Sequence, residues 1–210
     1  NTITGVYPPT EGSVYFNDEE ITGIAPDKIT KKGIARTFQN IRLFKNLSVL
    51  DNILIANHLH IKSNFLSSTL RMPWSRAEEK YMKKKSEMLL EKLGLLSINN
   101  EKAHSLPYGE QRKLEIARAL ATDAKLLLLD EPAAGMNPNE TEKLAEFIRT
   151  IRDEFNLTIL MIEHHMDLVM EISEKIYVLD FGHLIAEGTA EQVKNDPKVI
   201  EAYLGVEEDA

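Results

Sequence analysis

Cysteine is absent from the 210-residue sequence. That absence removes disulfides, thiolate zinc sites and cysteine nucleophiles together, and it suits a reducing cytosol. Long apolar runs are missing as well. The longest, Leu126 to Leu129 and Leu157 to Ile162, fall far short of the roughly 20 residues that span a bilayer. Nor is there an excess of positive charge: 25 Lys and Arg stand against 33 Asp and Glu, a net charge of −8. A phosphate backbone calls for clustered cations, so nucleic acid is not expected as a partner. Lys80, Lys83, Lys84 and Lys85 do cluster, and they read as the solvated face of a helix. Aromatic residues are few, and the single Trp, Trp74, is expected to anchor a lobe rather than to bind a ligand. Internal repeats and low-complexity tracts are not present.

Asn1-Thr2-Ile3-Thr4-Gly5 reads as the tail of a helix closed by a glycine cap, without the charged n-region or cleavage site of a signal peptide. The expectation is that upstream sequence is missing. A short hairpin is expected from Val14 to Ile21 around Asn17-Asp18, then a short strand from Ile34 to Phe38 and a helix from Val49 to about Leu59. Residues 60 to 104 differ in character. Ser75-Arg76-Ala77-Glu78 fits a capping box, followed by Met82, Leu89, Leu90 and Leu93 at helical spacing and by Gly94 as a stop.

The C-terminal half alternates strands with helices. Leu126 to Leu129 reads as a strand buried on both faces, and Asn137-Pro138-Asn139-Glu140 as a capping box with Pro at the first helical position. The next buried strand is expected at Leu157 to Ile162, a helix at Met166 to Ile172 and a third strand at Lys175 to Leu179, turning through Asp180-Phe181-Gly182-His183 into a hairpin. Such alternation implies βαβ units and a mostly parallel sheet.

The strongest chemical signal is Leu126-Leu127-Leu128-Leu129-Asp130-Glu131-Pro132. It brings Asp130 and Glu131 to the carboxyl end of a strand, where open α/β sheets bind ligands. An Asp there can hold Mg²⁺ against a nucleotide's phosphates, and an adjacent Glu can orient and deprotonate water. Two solvated acids closing a buried strand would look the same. Leu106-Pro107-Tyr108-Gly109-Glu110-Gln111-Arg112 opens a helix just before that strand, and a helix N-terminus offers free N–H groups to an anion. Gln39 follows the strand Ile34 to Phe38, where its side chain can touch both Mg²⁺ and water. His164 follows another strand, where a neutral imidazole can hydrogen-bond a γ-phosphate.

The order Gln39, Leu106 to Gln111, Asp130-Glu131, His164 resembles the nucleotide-binding subunit of ABC transporters, over essentially the whole chain. Arg36-Thr37-Phe38-Gln39, Arg42-Leu43-Phe44, Leu106-Pro107-Tyr108-Gly109, Ile162-Glu163-His164 and Ile200 to Gly205 are most similar to the ATPase subunit of branched-chain amino-acid importers. The resemblance implies an α/β, RecA-like P-loop NTPase core at 1–44 and 125–210, with an inserted α-helical subdomain at 45–124. It implies a signature segment at Leu106, Pro107, Tyr108, Gly109 and Glu110, and Gln39 as the Q-loop glutamine. Asp130 would be the Mg²⁺ partner, Glu131 the general base, His164 the switch histidine, and Ala134-Gly135-Met136-Asn137 the D-loop. ATP and Mg²⁺ are then the expected ligands. The expected partners are a sister ATPase subunit in a homo- or heterodimer, transmembrane permease subunits and, indirectly, a periplasmic binding protein. The expected place is cytoplasmic, peripheral on the inner face of the membrane.

The pattern also departs from the family. The sequence contains no G-x-x-x-x-G-K-[ST] phosphate loop. The chain as it stands is therefore expected to be N-terminally truncated, lacking the first strands, and inactive alone. Pro107 and Tyr108 replace the usual Ser and Gly, Glu110 the usual Gln and Asn137 a frequent Asp, while His165 follows His164 as a second candidate switch. Two other functions stay open: an ATPase for lipid or lipopolysaccharide export, and a non-catalytic interaction domain. A chromosome or repair ATPase would need coiled-coil heptads, which the sequence lacks.

Overall fold

The computed structural model describes residues 1–57, 59 and 73–204. The expected glycine cap forms at Gly5, whose φ is +70°. Val6 N donates to Asn1 O and Gly5 N to Thr2 O, the bond pair that closes a helix end around a left-handed residue. A Cβ at this position would collide with the Ile24 carbonyl oxygen. Strands β1 (Tyr15–Phe16) and β2 (Glu19–Glu20) pair antiparallel across Asn17 and Asp18. Both turn residues have positive φ, as a two-residue hairpin turn demands. Helix α1 (Pro26–Lys31) tucks Ile29 beneath strand β3 (Ile34–Arg36).

Helix α2 spans Val49–Asn57, with Asp51 N bonded to Ser48 Oγ at its start. The sequence reading runs to about Leu59, and residue 58 lies outside the described residues. Helix α3 runs Pro73–Lys92, which places Ser75 inside the helix rather than at the expected cap. Pro73 opens the helix instead, because its missing N–H costs nothing in the first turn. Trp74 is 57% exposed and does not anchor a core. Gly94 ends this segment as expected, with φ +70° and Leu95 N bonded to Leu90 O.

Two 3-10 turns, Leu96–Ile98 and Ala103–Ser105, lead to the further α-helices and strands α4 (Tyr108–Leu120), β4 (Leu126–Asp130), α5 (Pro138–Phe155), β5 (Thr158–Ile162), α6 (Met166–Ile172), β6 (Ile176–Asp180), β7 (His183–Gly188), α7 (Ala190–Lys194) and α8 (Pro197–Leu204). Strands β3, β4 and β5 form one parallel sheet in that order, with Ala35 opposite Leu127 and Leu127 opposite Ile159. The expected third strand forms as β6, and the hairpin read at Asp180 to His183 forms with it: Phe181 and Gly182 both take positive φ and reverse the chain, so that β6 pairs with β7, antiparallel, and among the described residues with no other strand. Strand β5 is also not buried as expected. Ile159 and Met161 pack on the core, while Leu160 and Ile162 stand exposed on the other face.

One apolar core holds the sheet and helices together. Val49 and Ile53 of α2, Leu90 of α3, Leu114 and Ile116 of α4, Leu127 and Leu129 of β4, Ile151 of α5 and Leu168 of α6 all belong to it. Burying one such side chain contributes about 1.5–3 kcal/mol. Leu126 and Leu128 are half-buried and face a second cluster around Ile21, Ile29 and Ile34. The central strand is thus covered on both sides, more tightly on one. Among the described residues no helix is long and apolar enough to cross a membrane.

Candidate functional site

Three parallel strands deliver their last residues to one edge of the sheet. Their backbones keep step just beyond the ladder: Thr37 N donates to Leu128 O and Glu131 N to Ile162 O, each at 2.9 Å. Glu131 has φ +43°, a conformation that costs a non-glycine residue energy and persists only when its surroundings enforce it. From that turn Glu131 Oε2 accepts a 2.6 Å bond from Gln39 Nε2. His164 Nδ1 lies 3.9 Å from the same oxygen. Asp130 sits beside them on β4 and is paired with Arg36 of β3 at 2.6 Å. Gln39, Glu131 and His164, far apart in sequence, therefore converge, with Asp130 next to them.

The segment from Leu106 to Glu110 is placed at the start of α4. Leu106 is buried and Pro107 occupies the cap position, where no side chain caps the helix. The first backbone bond of the helix is Gln111 N to Pro107 O, so the amides before it point out of the ladder. A Cβ at Gly109 would meet open space, which leaves room for close approach to that backbone. Tyr108 Oη donates to Ala134 O at 3.0 Å, joining this segment to the loop after β4. Asn137 accepts from Glu140 N and donates its own N–H to Glu140 Oε2, the capping box read from the sequence. The structure brings neither Asn137 nor residues 106–110 into hydrogen-bond contact with Gln39, Glu131 or His164.

Two buried groups went unnoticed in the sequence. Arg112 is fully buried on α4, and its guanidinium donates to Phe38 O and Gln39 O, each at 2.7 Å, and to Glu115 at 2.8 Å. Glu115 in turn accepts from Arg42 N. Burial pushes the Glu115 carboxyl above its ordinary value, against the lowering influence of the Arg42 amide, Arg112 and Arg118. Burial likewise pulls Arg118 down. Phe38 lies between Arg36 and Arg42, whose guanidinium carbons are 5.2 and 4.2 Å from its ring centre. Among the other polar residues of α4, Glu110, Gln111, Lys113 and Arg118, nothing local marks Arg112 and Glu115 as the buried pair.

The second group is Glu163, whose side chain is inaccessible to solvent. Burial raises its carboxyl, but bonds from Ala133 N, the His165 ring and the His165 and His164 amides outweigh this and hold it below the usual carboxylate range. His165, the second candidate switch, points its Nδ1 at Glu163 rather than at Glu131. Ligand atoms of Glu163, His164 and His165 lie within 4.8 Å of one another. Both Glu163 oxygens are already taken by N–H donors, so this trio does not read as a metal site. Asp130 and the Gln39 amide oxygen suit Mg²⁺ better, since that ion favours hard oxygens and uses few protein ligands beside phosphate and water. The Arg36 guanidinium on Asp130 shows a carboxylate that already draws positive charge.

A parallel sheet whose edge gathers an Asp-Glu pair, a Gln and a His beside an uncapped helix N-terminus has the α/β architecture of a P-loop NTPase core. The chain belongs to the ABC transporter family, whose model matches residues 1–134, and a branched-chain amino acid ATP-binding cassette transporter model matches residues 183–209. It is 46% identical to the high-affinity branched-chain amino acid transport ATP-binding protein BraF of Pseudomonas aeruginosa, and 45% identical to LivG of Escherichia coli K12, of the same description. Each match covers 98% of this chain and 80% of the relative. The crystal structure of the ADP conformation of MJ1267, an ATP-binding cassette of an ABC transporter, superposes with TM-score 0.81 at 35% identity, over 98% of this chain and 82% of that one.

Proposed function

We propose that this chain is part of an ATPase subunit that powers an importer of branched-chain amino acids. The observation that carries the ATPase reading is the meeting of Gln39, Glu131 and His164 at the end of a parallel sheet. Glu131 acts as general base on the attacking water, Gln39 orients that water and the carboxylate, and His164 donates to the phosphate that leaves. Asp130 and Gln39 hold Mg²⁺, which spreads and neutralises phosphate charge when bound. The open amides of Tyr108, Gly109 and Glu110 face the ATP of a sister subunit in a head-to-tail dimer, with Asn137 in the adjoining loop. The substrate class is supported by the description of the relatives and by the family match in the last 27 residues matched, 183–209. Lipid or lipopolysaccharide export has no such support.

In this reading residues 1–44 and 125–210 form the nucleotide core and 45–124 the helical lobe that meets permease subunits. The protein then works at the cytoplasmic face of the membrane, and a periplasmic binding protein takes part only through the permease. Reconstitution of the intact protein with its permease in vesicles tests the reading. ATP-dependent uptake of leucine, isoleucine or valine is expected; ATP hydrolysis stimulated only by lipid would overturn the substrate class. A second reading is favoured by one sequence fact, the lack of a phosphate-loop motif in these 210 residues: alone, they dock without hydrolysing. Calorimetric titration of the 210 residues with MgATP should show no tight binding, and micromolar affinity would contradict this.

A further inference from the structure

We propose that Glu163 is a positioning residue that fastens the loop after β4 to the loop after β5 and, through His165, sets the direction of His164. Its effect on turnover rests on the ATPase reading above, whereas the fastening itself does not. The need arises from parallel-sheet geometry. Beyond the last ladder bonds of β4 and β5, backbone N–H groups lose their strand partners, and buried donors must find acceptors elsewhere. A single ionised carboxylate offers about four lone-pair directions, and Glu163 uses them on both loops. Oε1 accepts from Ala133 N at 2.8 Å; Oε2 accepts from His164 N at 3.1 Å, His165 N at 3.3 Å and His165 Nδ1 at 3.0 Å.

The consequences reach the base. A buried carboxylate that only accepts requires a proton on His165 Nδ1. The His165 ring then lies against that of His164, with centres 4.5 Å apart and planes tilted by 35°. His164 in turn presents Nδ1 to Glu131. The same carboxylate holds Ala133, two residues beyond Glu131, so the strained turn at Glu131 is tied to the histidine that faces it. Glutamine cannot replace this group: an amide accepts through one oxygen and turns its NH₂ toward donors on one of the two loops.

The test uses the intact protein with ¹⁵N-labelled histidine at fixed neutral pH. His165 should show the Nδ1–H form, and Glu163→Gln should shift its ring nitrogens while those of His104, which bonds Lys45 O elsewhere, stay in place. Exchange of the Ala133 amide should quicken by about tenfold or more, as expected when a local closing bond is lost. If Glu163→Gln does not fold, Glu163→Asp serves instead. Shorter by one methylene, it should keep the neighbouring His165 bond and lose protection at Ala133. Unchanged His165 signals together with unchanged Ala133 exchange in a folded variant would overturn the proposal. In turnover, Glu163→Gln should lower kcat by about tenfold with little change in KM for ATP, as misplacement of reacting groups does; an effect on KM alone would count against it. Absence of hydrolysis by the parent protein would sink the ATPase reading and leave the two spectroscopic outcomes to decide the fastening.

Discussion

Residues 38–42 are held from two sides that could hardly differ more. Below them, Arg112 and Glu115 grip the backbone at Phe38 O, Gln39 O and Arg42 N from a site closed to solvent. Above them, the Gln39 side chain reaches Glu131 at an edge where His164 is 63% exposed. The buried grip has fixed partners and a high cost of disruption, because neither charge can be left unpaired away from water. The open edge has partners that water or a ligand can replace. The exposed side-chain contact is therefore carried on a backbone fastened from below, and the two roles fall to different residues of one short segment.

The sharpest way to break this contrast is Arg112→Ala. It takes the guanidinium from the buried Glu115 carboxylate and from the Phe38 and Gln39 carbonyls and should destabilise the fold by about 3–5 kcal/mol, read from urea unfolding. A loss below about 1 kcal/mol, the range of an exposed pair, would mean the lower grip is not sealed. Acid treatment separates the two buried carboxyls by sign. The folded Glu163 carboxyl is depressed, so its stabilisation is present above the ordinary carboxylate value and lost as pH falls through the lower folded one. The folded Glu115 carboxyl is raised, so its contribution is largest at low pH and is lost as pH rises through that raised value. Stability against pH should consequently fall less steeply on the acid side in Glu163→Gln than in the parent, and a parallel curve would contradict the assignment.

Smaller effects test the flanks of the site. Asn137→Ala removes the capping box of α5 and should cost about 1 kcal/mol. Smallest is Lys85→Ala. Its ion pair with Asp123 is partly exposed, and its loss should cost no more than about 0.5 kcal/mol in a denaturation series.

Much of this arrangement was legible in the sequence, for local reasons. The leucine run of β4, the Asn137-Pro138 cap, the turn at Asn17-Asp18 and the reversal at Phe181-Gly182 each depend on a few adjacent residues. Gln39, Asp130, Glu131 and His164 could be singled out because each stands at the end of a recognisable strand or just past it. What escaped was set by distant neighbours. Arg112 and Glu115 look like surface residues until residues 38–42 close over them, and Glu163 looks like a third acid until two loops donate to it. An apolar strand such as β5 does not announce which of its faces is covered. Ser75 had the right companions for a cap but lies inside a helix that Pro73 opens.

The most direct test of the whole account is single-turnover hydrolysis of MgATP by the intact protein carrying Glu131→Gln. If Glu131 is the general base held by Gln39 and faced by His164, hydrolysis should fall by about 10²–10⁴-fold while ATP stays bound and the thermal stability is unchanged. Hydrolysis at the parental rate would contradict it.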